Sequence, residues 1–107
     1  MIWNRKKSPL SSRAEVATQT PERYAKQLVA HLGHRVPVEA TPDGDQLTFD
    51  EGRGLVQIGD GVLVLIAEAN GEPALAVVQD VLGRHLLKFG AKQGLSVTWS
   101  APTSTPA

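Results

Sequence analysis

With 107 residues, 41% of them apolar and 21% charged, the chain has the composition of one ordinary globular domain. It holds no cysteine, which excludes a disulfide framework and any thiolate metal site. Eleven basic and eleven acidic residues cancel, but Arg5, Lys6, Lys7 and Arg13 precede the first acid, so residues 14–107 carry 7 basic against 11 acidic groups, a net of −4, and a mildly acidic domain without a basic face is a poor nucleic-acid binder.

No stretch approaches the ~18 apolar residues that a membrane span needs. Arg5-Lys6-Lys7 is followed by Ser-Pro-Leu-Ser-Ser, not by the apolar region of a secretory signal. The expected location is the cytoplasm, with neither membrane nor nucleic acid as a partner.

Residues 1–11 are basic, contain Ser and Pro, and show no periodicity, so they read as a disordered leader. A single domain is expected over 12–100. It opens with a short edge strand from Ser12 to Thr18, where Ala14 and Val16 alternate with Arg13, Glu15 and Ala17.

A helix follows. Thr20 suits its cap and Pro21 its first position, where a backbone N–H would be unpaired anyway. Ala25, Leu28, Val29 and Leu32 recur at spacings of three and four and form one apolar face. Gly33 allows an end and Pro37 forbids continuation. At ~100° per residue, Tyr24, Gln27, His31 and His34 share one polar stripe beside that face, with Arg23 at its border.

Short strands come next. Val36–Ala40, Gln46–Phe49, Leu55–Ile58 and Val62–Ala67 are separated by Thr41-Pro42-Asp43-Gly44-Asp45, Glu51-Gly52-Arg53-Gly54 and Gly59-Asp60-Gly61. Strands joined by such short turns are largely antiparallel, because parallel pairing needs a long crossover. Asn70 suits the cap of a second helix, with Glu72 and Pro73 in its first turn. Its apolar face is Leu75, Val78, Leu82, Leu86 and Phe89, and Gly90 ends it. Leu95–Trp99 reads as a closing strand, and 101–107 as a disordered tail. Trp99 and Phe89 are expected in the core with Leu28, Leu63, Leu65 and Leu86. The fold class is α+β: two helices on one face of a mainly antiparallel five- or six-stranded sheet, in the order β-α-β-β-β-β-α-β.

Arg23-Tyr24-x-Lys26-Gln27-Leu28-x-x-His31-x-x-His34 resembles the signature of a bacterial family, domain of unknown function 2218. Leu63-x-Leu65-x-Ala67-Glu68-Ala69, Val81-x-x-x-His85-Leu86-x-x-Phe89 and Leu95-x-Val97-x-Trp99 resemble its central strand, second helix and closing strand. The resemblance covers about residues 12–100. It implies a small α+β domain without an established activity, and only a loose association with iron handling.

Two constellations carry chemistry. His31, His34 and His85 are the metal candidates, because three imidazoles with an open position suit a divalent transition metal. No Glu follows His31 in the metalloprotease arrangement, and the same rings also read as flank histidines bonded to backbone. Arg23, Tyr24, Gln27 and His31 form a candidate anion or carboxylate pocket, with Arg supplying a planar fork; the bland alternative is a surface stripe with Tyr24 at the core rim. With no nucleophile motif and no phosphate loop, the chain reads as a non-enzymatic binding module, with histidine-based metal binding as the alternative.

A third feature concerns partners. If Leu63, Leu65 and Ala67 face the helices, Val62, Val64 and Ile66 face outward. These apolar, β-branched residues, with Gln46, Thr48, Ser96 and Thr98 around them, predict a contact stripe for a homodimer or a protein partner, unless the leader or the tail covers it.

Overall fold

A computed structural model describes residues 9–104. Residues 1–8 of the leader expected at 1–11 and residues 105–107 of the tail expected at 101–107 lie outside the described residues, whereas Leu10 and Ser11 belong to β1 and Thr103 and Ser104 to β6. The elements run β1 (Leu10–Ala17), α1 (Pro21–Leu32), β2 (Val38–Thr41), β3 (Gly44–Thr48), β4 (Gly52–Gly59), β5 (Val62–Ala69), α2 (Glu72–Gly90), a short 3-10 turn (Ala91–Gln93) and β6 (Thr103–Ser104). The strands form one antiparallel sheet in the order β2-β3-β4-β5-β1-β6. The chain is α+β, with both helices on one face of that sheet.

Period-two alternation explains which face is covered. In β1, Ser12, Ala14 and Val16 are buried while Arg13, Glu15 and Ala17 are exposed. In β5, Leu63, Leu65, Ala67 and Ala69 point at the helices. From the helices, Tyr24, Ala25, Leu28 and Leu32 of α1 and Leu75, Val78, Leu82 and Leu86 of α2 complete the core. Leu28, Leu63, Leu65 and Leu86 have no exposed surface.

The register juxtaposes Ser12 of β1, Ala67 of β5 and Gly54 of β4 in one row of small residues. A Cβ on Gly54 would lie 2.8 Å from Leu82 Cδ1. Glycine here lets α2 sit directly on the sheet. Gly54 is paired with Leu47 of β3 and Ala67 of β5, and so belongs to β4 and not to the turn expected at Glu51–Gly54. The turn is tighter and earlier, with Phe49 and Gly52 exchanging backbone hydrogen bonds of 2.7 and 3.3 Å.

Several local expectations are corrected. β1 is not an edge strand: it lies between β5 and β6, through pairings some fifty and ninety residues away in the chain that no local pattern encodes. The α2 cap position is Gly71, at φ 108°, and not Asn70, and neither helix has a side-chain cap bond. That φ lies in the region that favours glycine. The segment 95–99 is not a full strand. It meets β1 only at the bridge Ala14–Trp99, and Ser96 and Thr98 are therefore not part of the outer sheet face.

Serines tie the segment after Trp99 to β1. The buried Ser12 hydroxyl donates to Ser100 O at 2.6 Å, Ser100 N–H donates to Arg13 O at 2.8 Å, and Arg13 N–H donates to Ser100 Oγ at 3.0 Å. The first of these bonds satisfies the hydroxyl of Ser12, a polar residue buried among the core positions. Trp99 and Phe89 pack on the core but remain half-buried, because 95–99 lies along the flank of α2 and Phe89 fills the seam between the helices. Pro37 and Pro42 bracket β2; a proline near each end makes this exposed edge a poor template for another strand.

Half-burial lowers the expected energetic weight of Trp99. Trp99→Ala is expected to cost less than the ~3–5 kcal/mol of a fully buried aromatic, and Leu65→Ala ~2–5 kcal/mol with almost no relief by solvent. Equilibrium denaturation compares them: a larger loss for Trp99→Ala than for Leu65→Ala would contradict this packing.

Candidate functional site

The two helices meet along a seam whose polar side carries the rings. His31, in the last turn of α1, and His85 of α2 have ring centroids 5.2 Å apart with planes tilted by 40°. Phe89 stands edge-on to His31, with centroids 5.5 Å apart and planes at 78°. His85, Lys88 and Phe89 share one helix face at spacings of three and four, so α2 presents them together to α1.

His85 Nδ1 lies 2.7 Å from Val81 O. A carbonyl only accepts, so Nδ1 carries the proton and donates, and in the neutral ring Nε2 keeps its lone pair. Neither nitrogen of His31 has a hydrogen-bond partner among the described residues. Partial burial, then the charges of His85, Lys88, Arg35 and His34, hold the His31 pKa below the ordinary 6.5. No carboxylate is among the groups acting on it. The three ion pairs found among the described residues, Arg13–Glu15, Arg53–Glu68 and Asp80–Arg84, lie elsewhere, at 2.9, 2.6 and 3.1 Å. They are largely exposed and worth ~0–1 kcal/mol each.

The sequence-predicted residues separate into two groups. His31 and His85 come together. His34 lies past the helix end at Gly33, exposed, and makes no ring contact with them among the described residues. Among the described residues no group of three or more His, Cys, Asp or Glu is placed to hold a metal ion. Of the anion candidates, Arg23 is exposed, while Tyr24 turns under α1 into the core. Gln27, one turn before His31, is half-buried, and its Oε1 is buried with no hydrogen-bond partner. Left unmet, such an atom costs ~1–3 kcal/mol.

Arg35, Lys88 and Phe89 were not predicted as site residues. A helix-spacing signal existed for them, since Arg35 follows His31 by four, and Lys88 and Phe89 follow His85 by three and four. What the sequence lacked was the pairing of the two helices.

The outer sheet face is less apolar than its sequence suggests. Val64 lies between Glu15 and Gln57 on the flanking strands, and Ile66 between Arg13 and Leu55. These neighbours leave Val64 only 4% exposed and Val62 and Ile66 half-buried. On the same face a shallow concavity of about 350 Å³ surrounds the Arg53–Glu68 pair and is bordered by Phe49. No helix of the described residues is long and apolar enough to cross a membrane.

The sequence model of one family, described as "Uncharacterized protein conserved in bacteria (DUF2218)", matches residues 13–100. The chain belongs to this family. Among solved structures, the DUF2218 chain is similar to PA4090 of Pseudomonas aeruginosa, determined by NMR, with 25% identity and a TM-score of 0.67 over 85% of this chain and 95% of that one. It is also similar to part of a phosphoglucomutase/phosphomannomutase family protein of Burkholderia thailandensis, with 29% identity and a TM-score of 0.55. That match covers 80% of the DUF2218 chain but 19% of the Burkholderia chain. A comparison with curated proteins finds no match.

The lowered His31 pKa has a definite sign in stability. The unfolded chain takes up this proton more readily than the folded one, so stability is full above pH 6.5 and is lost as pH falls toward the folded-state pKa. A ring-proton NMR titration is expected to place the His31 midpoint below 6.5. His31→Gln is expected to flatten the acid side of the stability profile; a midpoint at or above 6.5 would contradict the seam as described.

Proposed function

We propose that this DUF2218 chain is a non-enzymatic binding module, and that its ligand offers an anionic group of the phosphate or carboxylate class to the α1–α2 seam. The observation that carries this reading is the pair of cations beside His31: Arg35 and Lys88 both act on it, and no carboxylate is among the groups that do. In a chain whose residues 14–107 are net acidic, such a local cluster focuses positive potential on one spot. Lys and Arg are the usual partners of phosphate and carboxylate oxygens. Gln27 Oε1, buried and unpaired one helical turn away, is a place where a ligand hydroxyl or a water would donate.

Binding is favoured over catalysis because His31 has no hydroxyl or carboxylate bonded to it among the described residues, so a base would have no partner to activate or to orient it. The Burkholderia relative is by its name a protein of a phosphosugar mutase family. A sugar phosphate is therefore a natural probe beside inorganic phosphate, although the chain spans about a fifth of that protein.

Backbone amide NMR with EDTA present and phosphate or glucose 1-phosphate added to about 10 mM would test for even a weak, millimolar site. Shifts are expected at His31, His34, Arg35, His85 and Lys88, and Arg35→Glu with Lys88→Glu is expected to weaken binding at least tenfold. Unperturbed amides at these residues, or shifts centred on the Arg53–Glu68 concavity, would contradict the proposal.

A further inference from the structure

We propose that His31 and His85 form a two-imidazole site that bridges α1 and α2 and binds a divalent transition metal of the copper or zinc class. The first support is distance. A metal–nitrogen bond of ~2.1 Å, extended by about 1.2 Å from ring nitrogen to ring centre, puts each centroid about 3.3 Å from the metal. At a tetrahedral angle, two such rings have centroids about 5.4 Å apart. The observed separation of 5.2 Å is close to that span.

The second support is the tautomer. Histidine ligands commonly donate their other ring N–H to a carbonyl or carboxylate, which fixes the ring and directs the free nitrogen at the metal. His85 makes that bond, from Nδ1 to Val81 O at 2.7 Å, so Nε2 is the ligand atom on this side. His31 is held by the edge contact with Phe89, and its nitrogens have no competing partner among the described residues.

The chemistry of the surroundings selects the ion. No carboxylate among the described residues acts on His31, which disfavours calcium and magnesium, ions that need oxygen ligands. Nearby Lys88 and Arg35 oppose any cation, and only ions with a strong preference for imidazole overcome that; copper(II) leads this order. Two protein ligands leave positions for water or for an anion beside Lys88 and Arg35. His34 stays outside the set, past the end of α1.

The inference does not rest on the anion reading. The anion titration contains EDTA and the metal test contains no added phosphate or sugar phosphate, so either can fail alone. A metal joining two helices binds the folded chain and not the unfolded one, and stabilises it by mass action. With untagged full-length protein stripped by EDTA and dialysed into a non-coordinating buffer at pH 7.5, zinc chloride at about 100 µM is expected to raise the melting midpoint by about 5 °C or more. The rise is expected to vanish in His31→Gln and in His85→Gln, to persist in His34→Gln, and to disappear near pH 5. Copper(II) bound to the wild-type chain should show hyperfine coupling to two imidazole nitrogens, a readout that does not depend on how the variants fold. No zinc-induced shift, loss of the shift in His34→Gln, or a one-nitrogen copper spectrum would overturn the site and leave the two rings as a packing contact.

Discussion

Burial of the alternate side chains of β5 beneath two helices sets the rest of the structure. Leu63, Leu65, Ala67 and Ala69 lie on one face of a central strand paired along its whole length with β1 and β4. Each fully buried leucine is worth ~1.5–3 kcal/mol against exposure, so this face is covered throughout. Small residues at Ser12, Ala67 and Gly54 let α2 lie close to the sheet, with Leu82 seated over Gly54. The remaining helix-side surface belongs to α1, and the two helices meet. Contact between His31 and His85 follows from the packing of the sheet and not from any attraction between two imidazoles.

The seam differs from the core beneath it in a way that matters for binding. Below it, Tyr24, Leu28, Leu32, Leu82 and Leu86 form a buried cluster. At its rim, Gln27, His31 and His85 are half-buried and rich in nitrogen and oxygen atoms, and Gln27 Oε1 is buried there without a hydrogen-bond partner. Rigid elements thus hold polar groups that the fold itself does not use up, which is the arrangement that recognition requires. On the outer sheet face, the long side chains of Arg13 and Glu15 pair along β1, and those of Arg53 and Glu68 pair between β4 and β5.

Patterns with a short period were legible in the sequence. The apolar repeats of α1 and α2, the alternation in β1 and β5, and the ends at Gly33 and Gly90 each depend on residues within a few positions. Long-range features were not. Nothing near Ser12–Thr18 reveals that β5 and β6 flank it, and nothing near Gly54 reveals that Leu82 needs its missing side chain. Trp99 illustrates the same limit: alternation in Leu95–Trp99 is real, yet a single bridge to Ala14 and the flank of α2 decide its burial. For the site, the stripe holding Gln27 and His31 was visible on a helical wheel. Tyr24 left the stripe because the core lies directly beneath its position, and His34 left it because α1 ends two residues earlier, at Leu32. The partnership of His31 with His85, Lys88 and Phe89 spans more than fifty residues and needed the fold.

Packing of α1 on α2 through the rings is the central claim, and a nuclear Overhauser spectrum of the full chain tests it most directly. Cross-peaks are expected between the His31 ring protons and those of both His85 and Phe89, from centroid separations of 5.2 and 5.5 Å. Absence of these cross-peaks, in a spectrum that does show Leu82 contacting Gly54, would contradict the seam while leaving the sheet intact.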